Sequence, residues 1–171
     1  VNYSYKGSIP AHIKSINIGQ IKNESSDLNL SEEIYVRIID IIVSENIISL
    51  SDNNADSKLD IVITDISDKV ESYSLDSNAT FEKVDLWRFE IKGNLIWYDL
   101  VNSTEILSSD ISGHAIYNLN KDMSSDGIDN DEDGDIDSQD PDEIGNPRIS
   151  AKKIAYEKIS REVINLLLST W

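Results

Sequence analysis

The chain has 171 residues and a mass of 19.2 kDa, with 15 Lys and Arg residues against 32 Asp and Glu residues. A formal net charge of −17 and a pI near 4.3 argue against electrostatic binding of nucleic acid. No apolar run approaches the roughly 18 residues that a membrane-spanning helix needs. The chain contains no cysteine, which excludes disulfides, thiolate metal ligands and a cysteine nucleophile.

Apolar spacing in the first part of the chain predicts a strand and then a helix. Ile16, Ile18 and Ile21 indicate a half-buried first strand. In the helix that follows, Glu32 and Glu33 lie in the first turn, where carboxylates interact favourably with the helix dipole. Its apolar stripe has spacings of three and four and consists of Leu30, Ile34, Ile38, Ile41 and Ile42.

We expect residues 47–50 to begin a short strand, which the turn cluster at residues 51–54 interrupts. Three longer strands are predicted next. Leu59, Ile61 and Ile63 alternate with polar residues in a strand that we expect to extend to Tyr73. The third strand has one apolar side, formed by Trp87, Phe89, Ile91, Gly93, Leu95 and Trp97. The fourth is indicated by Leu107, Ile111, Ala115 and Tyr117. A tight turn at Asn102-Ser103 predicts that the third and fourth strands form an antiparallel hairpin.

A final helix is predicted to begin near Pro147 and Ser150. Its apolar face consists of Ala151, Ala155, Ile159, Val163, Leu166 and Leu167, and its basic face of Lys152, Lys153, Lys158 and Arg161. We expect the basic face to be solvated, the alternative being contact with an anionic partner or the acidic segment. The fold class predicted is α+β: one domain, residues 1–171, with a mixed four-stranded sheet and two helices packed on one face, in the order β-α-β-β-β-α.

An intensely acidic segment, residues 121–147, precedes the last helix. It holds 11 acidic residues and one lysine, a net charge of −10. Its centre matches a twelve-residue calcium loop, in which the predicted metal ligands are Asp129, Asp131, Asp133, Asp135, Asp137 and Asp140.

The spacing in this segment suits calcium for physical reasons. Alternate residues of a tightly wound loop point inward, Gly134 at position six permits the sharp turn, and hard carboxylates suit Ca²⁺. Position twelve is Asp140 rather than the longer Glu. The pattern resembles the Asp-rich calcium repeats of extracellular bacterial proteins. We predict one structural Ca²⁺ ion as the cofactor; the alternative is an inert acidic insertion, because blocks of like charge repel.

Residue patterns typical of enzymes are missing from the sequence. His12 and His114 lie in predicted strand regions without the spacing of a zinc site, so we interpret both as structural. There is no Gly-x-Ser-x-Gly motif and no phosphate-binding glycine loop. Trp87 and Trp97 are expected to pack on the sheet, the alternative being an uncovered binding face. We therefore do not expect an enzyme.

The beginning of the chain carries a family resemblance. Residues 3–10, Tyr-Ser-Tyr-Lys-Gly-Ser-Ile-Pro, followed by His-Ile-Lys-Ser-Ile-Asn-Ile at residues 12–18, resemble the start of LptE-type lipopolysaccharide-assembly lipoproteins. In that family a Tyr-Ser-Phe-x-Gly stretch follows the lipidated cysteine and leads through a proline into the first strand. The similarity covers about the first 35 residues. The chain itself lacks the anchoring cysteine, which the resemblance places immediately before Val1.

The resemblance implies a non-enzymatic lipoprotein, lipid-anchored on the periplasmic face of the outer membrane. Such a protein acts as plug and assembly partner of the LptD β-barrel in lipopolysaccharide transport. The implied partners are that barrel and lipopolysaccharide itself, with the membrane held through an N-terminal lipid and no nucleic acid bound. Two alternatives stay open: another envelope lipoprotein of similar fold that acts as an adaptor or activator, or a calcium-dependent surface interaction module.

Overall fold

The computed structural model describes residues 9–75, 82–120, 127–129, 132, 134 and 146–169. The elements in chain order are strands β1 (Ser15–Ile18) and β2 (Lys22–Asn23), helix α1 (Leu30–Ser44), strands β3 (Ser49–Leu50), β4 (Ser57–Leu75), β5 (Glu82–Asp99) and β6 (Thr104–Tyr117), and helix α2 (Pro147–Leu168). The protein therefore belongs to the α+β class, as predicted. Neither of these two helices is long and apolar enough to cross a membrane.

The strands form one mixed sheet in the order β3-β1-β4-β5-β6, and β2 also pairs with β4. β1 runs parallel to both of its neighbours, with Ile16 opposite Leu50 on β3 and Ser57 on β4. β2 is parallel to β4 as well, with Lys22 opposite Val62. β5 and β6 are adjacent and joined only by residues 100–103, a connection too short for anything but an antiparallel pair.

The prediction of a four-stranded sheet is wrong, because the sheet has six strands. The two additional strands, β2 and β3, contain two residues each, and β3 lies within the short strand predicted at residues 47–50, which the count of four did not include. A two-residue strand cannot show a period of two, and both pairs are stabilised by the backbone of a longer neighbour rather than by their own side chains. The packing of both helices on one face of the sheet stays a prediction.

The chain divides into two compact units. Unit 1 contains residues 1–65, 92–111 and 159–171, and unit 2 contains residues 66–91 and 112–158. β4, β5, β6 and α2 each supply residues to both units. That residues 1–171 form a single domain stays a prediction.

Unit 1 is built on the predicted apolar stripe of α1. All five stripe residues are buried, none more than 6% exposed. The inward side chains of the strands complete this core, namely Ile16, Ile18, Leu59, Ile61, Ile63, Leu95 and Trp97. Burial of a Leu or Ile side chain stabilises a fold by about 1.5–3 kcal/mol, so the stripe fixes which side of α1 faces inward.

Unit 2 fastens the start of α2 to the sheet. Asn146 precedes the helix, and its side-chain oxygen accepts the backbone N–H of Ile149 at 3.3 Å, as an N-cap does. Arg148 donates to the Asp68 carboxylate at 2.8 Å and lies 5.5 Å from the centre of the Phe89 ring. The Tyr117 hydroxyl donates to the same carboxylate at 2.6 Å. Burial, and then this bond, raise the pKa of Tyr117.

A charged cluster in unit 1 joins the segment before β1 to the turn between β5 and β6. His12 Nε2 lies 2.5 Å from Asp99 Oδ2, and the Asp99 side chain is almost fully buried. Asp99 also accepts the backbone N–H of Val101 and of Asn102, both at 2.9 Å. The Asn102 backbone bond first, and then the His12 and Asn102 side-chain bonds, lower the pKa of Asp99 to about 2, against the opposing effect of burial.

A close approach of β4 and β5 requires glycine at position 93. Gly93 lies on the buried side of β5, and a Cβ atom there would lie 2.4 Å from the Val62 carbonyl oxygen and 3.2 Å from Ile63 Cδ1. At Gly19 the nearest atom to such a Cβ is Asp60 Oδ1, at 4.0 Å. A side chain is therefore obstructed at position 93 and has room at position 19, so Gly19 can serve as the control for Gly93.

Gly93→Ala is expected to lower the free energy of unfolding by about 1–3 kcal/mol, because the two strands must separate to admit the methyl group. Gly19→Ala should change it by less than about 0.5 kcal/mol. Urea titration of both variants measures the difference. Equal stability of the two variants would show that the close approach is not a constraint.

Asp99→Asn is expected to lower the melting temperature at pH 7. A carboxylate whose folded pKa is about 2 against an ordinary 3.8 stabilises the fold above pH 4 or so, and this contribution is lost as the pH falls towards 2. As the pH falls from about 4 to about 2, the variant should therefore lose less stability than the wild type. Melting curves from pH 7 to pH 2 measure this, with exposed Asp110→Asn as the control. If the melting temperatures of Asp99→Asn and the wild type fell in parallel as the pH was lowered, the stabilising role of the Asp99 carboxylate would be contradicted.

Candidate functional site

Helix α1 carries a second apolar stripe that the core of unit 1 does not cover. Val36 and Val43 are 49% and 64% exposed, and Tyr35 and Ile39 are half-buried. At 3.6 residues per turn these four side chains, which we call the outer stripe, occupy roughly 100° of the helix circumference. A surface helix normally presents polar residues on its outward side. The outer stripe therefore indicates a contact surface.

Two open depressions flank the first half of the outer stripe. One, of about 410 Å³, is lined by Gln20, Ile21, Leu28, Ser31, Glu32 and Tyr35. The other, of about 390 Å³, is lined by Asn29, Glu32, Glu33, Val36 and Arg37. Glu32 separates the two, and Leu28 stands 88% exposed at the rim of the first. Apolar side chains of a partner can enter on either side of Glu32.

Carboxylates surround this surface. Glu33 pairs with Arg37 at 3.2 Å, one helical turn away, and Glu45 pairs with Arg161. Within the described part of the chain, Glu32 and Asp40 have no ion-pair partner. They lie one turn before and one turn after Val36, so Glu32 precedes the outer stripe and Asp40 lies beside it, between Ile39 and Val43.

Only one of the six predicted calcium ligands lies among the described residues. Asp129 Oδ2 accepts the backbone N–H of Gly134 at 2.9 Å, and Gly134 has a φ of +105°, which glycine adopts readily. The other five predicted ligands, Asp131, Asp133, Asp135, Asp137 and Asp140, lie outside the described residues. The structure thus brings positions one and six of the predicted loop together. Among the residues that the structure describes, no group of three or more acidic or histidine side chains is positioned to bind a metal ion.

The two histidines are both beside carboxylates. His12 contacts Asp99, whereas the nearby Ser15 hydroxyl donates to Asp56 at 3.2 Å and is not bonded to the imidazole. His114 Nε2 is buried and lies 3.6 Å from Glu132. Burial first, and then the positive charges of Arg88 and Lys158, lower the pKa of His114.

The outer stripe was not predicted from the sequence, although a signal for it was present. Nine of the 15 residues of α1 are apolar, and the predicted buried stripe used five of them. A single inward face does not accommodate nine such residues, so the surplus predicts a second contact. Asp99 was missed for a different reason, since its burial depends on His12, 87 positions earlier.

No protein-family model matches the chain, and no curated protein matches it. Solved structures match at low identity. A hypothetical protein from Chlamydia trachomatis has a TM-score of 0.59 at 10% identity, over 92% of this chain and 97% of its own. A candidate neuraminyllactose-binding hemagglutinin homolog from Helicobacter pylori has 0.53 at 13%, over 97% and 89%. The PelC dodecamer from Paraburkholderia phytofirmans has 0.50 at 10%, over 96% and 92%.

These matches correct the family resemblance. None of these three structures is named as an LptE-type protein, and the predicted LptE membership is wrong. Lipoproteins from Neisseria meningitidis and Acinetobacter baumannii also match, at TM-scores of 0.43 and 0.48. The LptD and lipopolysaccharide partners depended on the same N-terminal motif and stay predictions. The first three structures, with TM-scores of 0.50 or more, have identities of 10–13%, which show a shared fold and no family membership.

Proposed function

We propose that the protein is a non-enzymatic lipoprotein of the cell envelope that acts as an adaptor, binding another protein through the outer stripe of α1. The observation that carries the proposal is the exposure of Val36 and Val43 beside two depressions. Apolar surface costs about 25 cal/mol per Å² when it is left in water, and contiguous patches of it commonly mark protein contacts.

The shared fold supports an envelope role. Proteins named as a hemagglutinin homolog and as a dodecameric assembly have the same fold, and both names describe binding or assembly rather than a reaction. The proposed place is the periplasmic face of the outer membrane, with a lipid attached upstream of the folded part.

Both the envelope location and the adaptor role can be tested in cells that produce the protein with a photo-crosslinking amino acid in place of Val43. We expect irradiation to join the protein to one discrete partner, and the product to sediment with membranes and dissolve in detergent but not in high salt. The same replacement at Leu119, which is 56% exposed against 64% for Val43 and lies in unit 2, is the control and should give no product. A soluble protein would contradict the envelope role, and equal crosslinking at both positions would contradict the adaptor role.

Calcium binding by the acidic segment is a second proposed property. It is supported by the bond between Asp129 and Gly134, which closes the first half of the predicted loop as a calcium loop requires. The segment carries a net charge of −10, and a bound divalent cation would offset the repulsion among its carboxylates. The ion would be structural, ordering the segment that precedes α2.

A few millimolar Ca²⁺ is expected to raise the melting temperature, because a ligand present at 100 times its Kd stabilises the folded state by about 2.7 kcal/mol. The combined variant Asp129→Ala and Asp133→Ala should lose this response. Asp52→Ala with Asp65→Ala removes the same charge from exposed positions elsewhere and should keep it. Calorimetric melting with and without Ca²⁺, and with Mg²⁺ for comparison, measures the effect. An unchanged melting temperature in Ca²⁺ would refute the proposed site.

A further inference from the structure

We infer that the outer stripe of α1 binds a cationic amphipathic helix of a partner protein. This inference rests on the adaptor function proposed above and specifies the chemistry of the partner. Three observations carry it: the spacing of the apolar residues, the two carboxylates beside them, and the negative charge of the chain.

The spacing of the outer stripe suits a helix. Val36, Ile39 and Val43 are separated by three and four residues, the pattern by which one helix packs along another. The helix that carries the stripe is anchored to the core of unit 1 by five buried side chains on another side. An amphipathic helix can therefore lay its apolar face along the stripe.

The depressions add specificity at the first half of the stripe. They open on either side of Glu32, next to Tyr35 and Val36 respectively. Each can receive a long apolar side chain, such as Leu or Met, from successive turns of a bound helix. The second half, around Val43, offers a flat contact.

The charges select a basic partner. Glu32 and Asp40 are eight residues apart, which on a helix is about 12 Å. Lys or Arg residues two turns apart on the flanks of a bound helix would meet both carboxylates. The chain's net charge of −17 would also accelerate the approach of a cationic helix.

The same charges argue against a second copy of this chain as the occupant. Two copies would each bring Glu32 and Asp40 to the contact, and each carries a net charge of −17. Like charges across an interface oppose association. A partner of opposite charge satisfies both the apolar and the electrostatic requirement.

Two synthetic 21-residue peptides test the inference. Both have Leu at the two core positions of each heptad; one has Lys at the flanking positions and the other has Glu. Fluorescence anisotropy with the whole protein is expected to show at least tenfold tighter binding of the Lys peptide. Added salt should reduce the difference in affinity between the two peptides, because it screens the interactions between their charges and the carboxylates. Failure of the Lys peptide to bind would overturn the inference.

The combined variant Val36→Asp and Val43→Asp separates stripe binding from general attraction to an acidic protein. It adds two negative charges, so general attraction predicts equal or tighter binding of the Lys peptide. Binding to the stripe predicts at least a tenfold loss. Leu119→Asp with Ile149→Asp adds the same charge at apolar positions of similar exposure and should bind as the wild type does. Circular dichroism checks that both variants fold.

Three further measurements also test the inference. Equal binding by the two Asp variants would overturn the inference, since it would show attraction to charge alone. The combined variant Glu32→Gln and Asp40→Asn should bind the Lys peptide with a smaller preference over the Glu peptide than the wild type does. An unchanged preference would overturn the inference that the partner is basic. A dimer of the wild type by light scattering, absent in Val36→Asp with Val43→Asp, would assign the stripe to a second copy instead. None of these results depends on crosslinking or sedimentation in cells, so the proposed function can stand or fail separately.

Discussion

The orientation of α1 is set by the burial of one of its sides, and the surface that the protein offers to partners follows from it. Rotating the helix by one position would expose several isoleucines, each stabilising the core by about 1.5–3 kcal/mol. That cost keeps Val36 and Val43 outward even though exposing them is itself unfavourable. Apolar residues on both sides of one helix thus contribute to stability on one side and, in the proposed function, to contact on the other.

β4 has a comparable organising role in unit 1. It pairs with β1 and β2 along one edge and lies next to β5 along the other. The near-contact at Gly93 shows how little space separates β4 from β5, and Asp99 at the end of β5 secures the segment that leads into β1. Position along β4 therefore decides where β1 and β2 can pair, and β3 pairs in turn with β1. Because each two-residue strand is held by a longer neighbour, neither needs an apolar pattern of its own.

The sequence predicted those elements whose periodicity repeats over several turns or pleats. Five apolar positions indicated α1, and the alternation from Phe89 to Trp97 indicated β5, because each pattern samples its period many times. The pairing of the two-residue strands and the burial of Asp99 involve neighbours distant in the chain, which a local pattern does not reveal. The LptE resemblance failed because a short N-terminal motif does not determine how the following 150 or so residues pack.

The parallel pairing of β1 has a consequence for how the chain folds as it is synthesised. Ile16 and Ile18 obtain a hydrogen-bonded neighbour on β4 only at residues 57–59, and His12 reaches Asp99 only after 87 further residues. A chain that emerges at about 5–20 residues per second therefore exposes its first strand for several seconds. During that interval the nascent protein is an unpaired apolar segment followed by a helix with two apolar sides. Its most vulnerable moment for aggregation thus comes before β4 has been made.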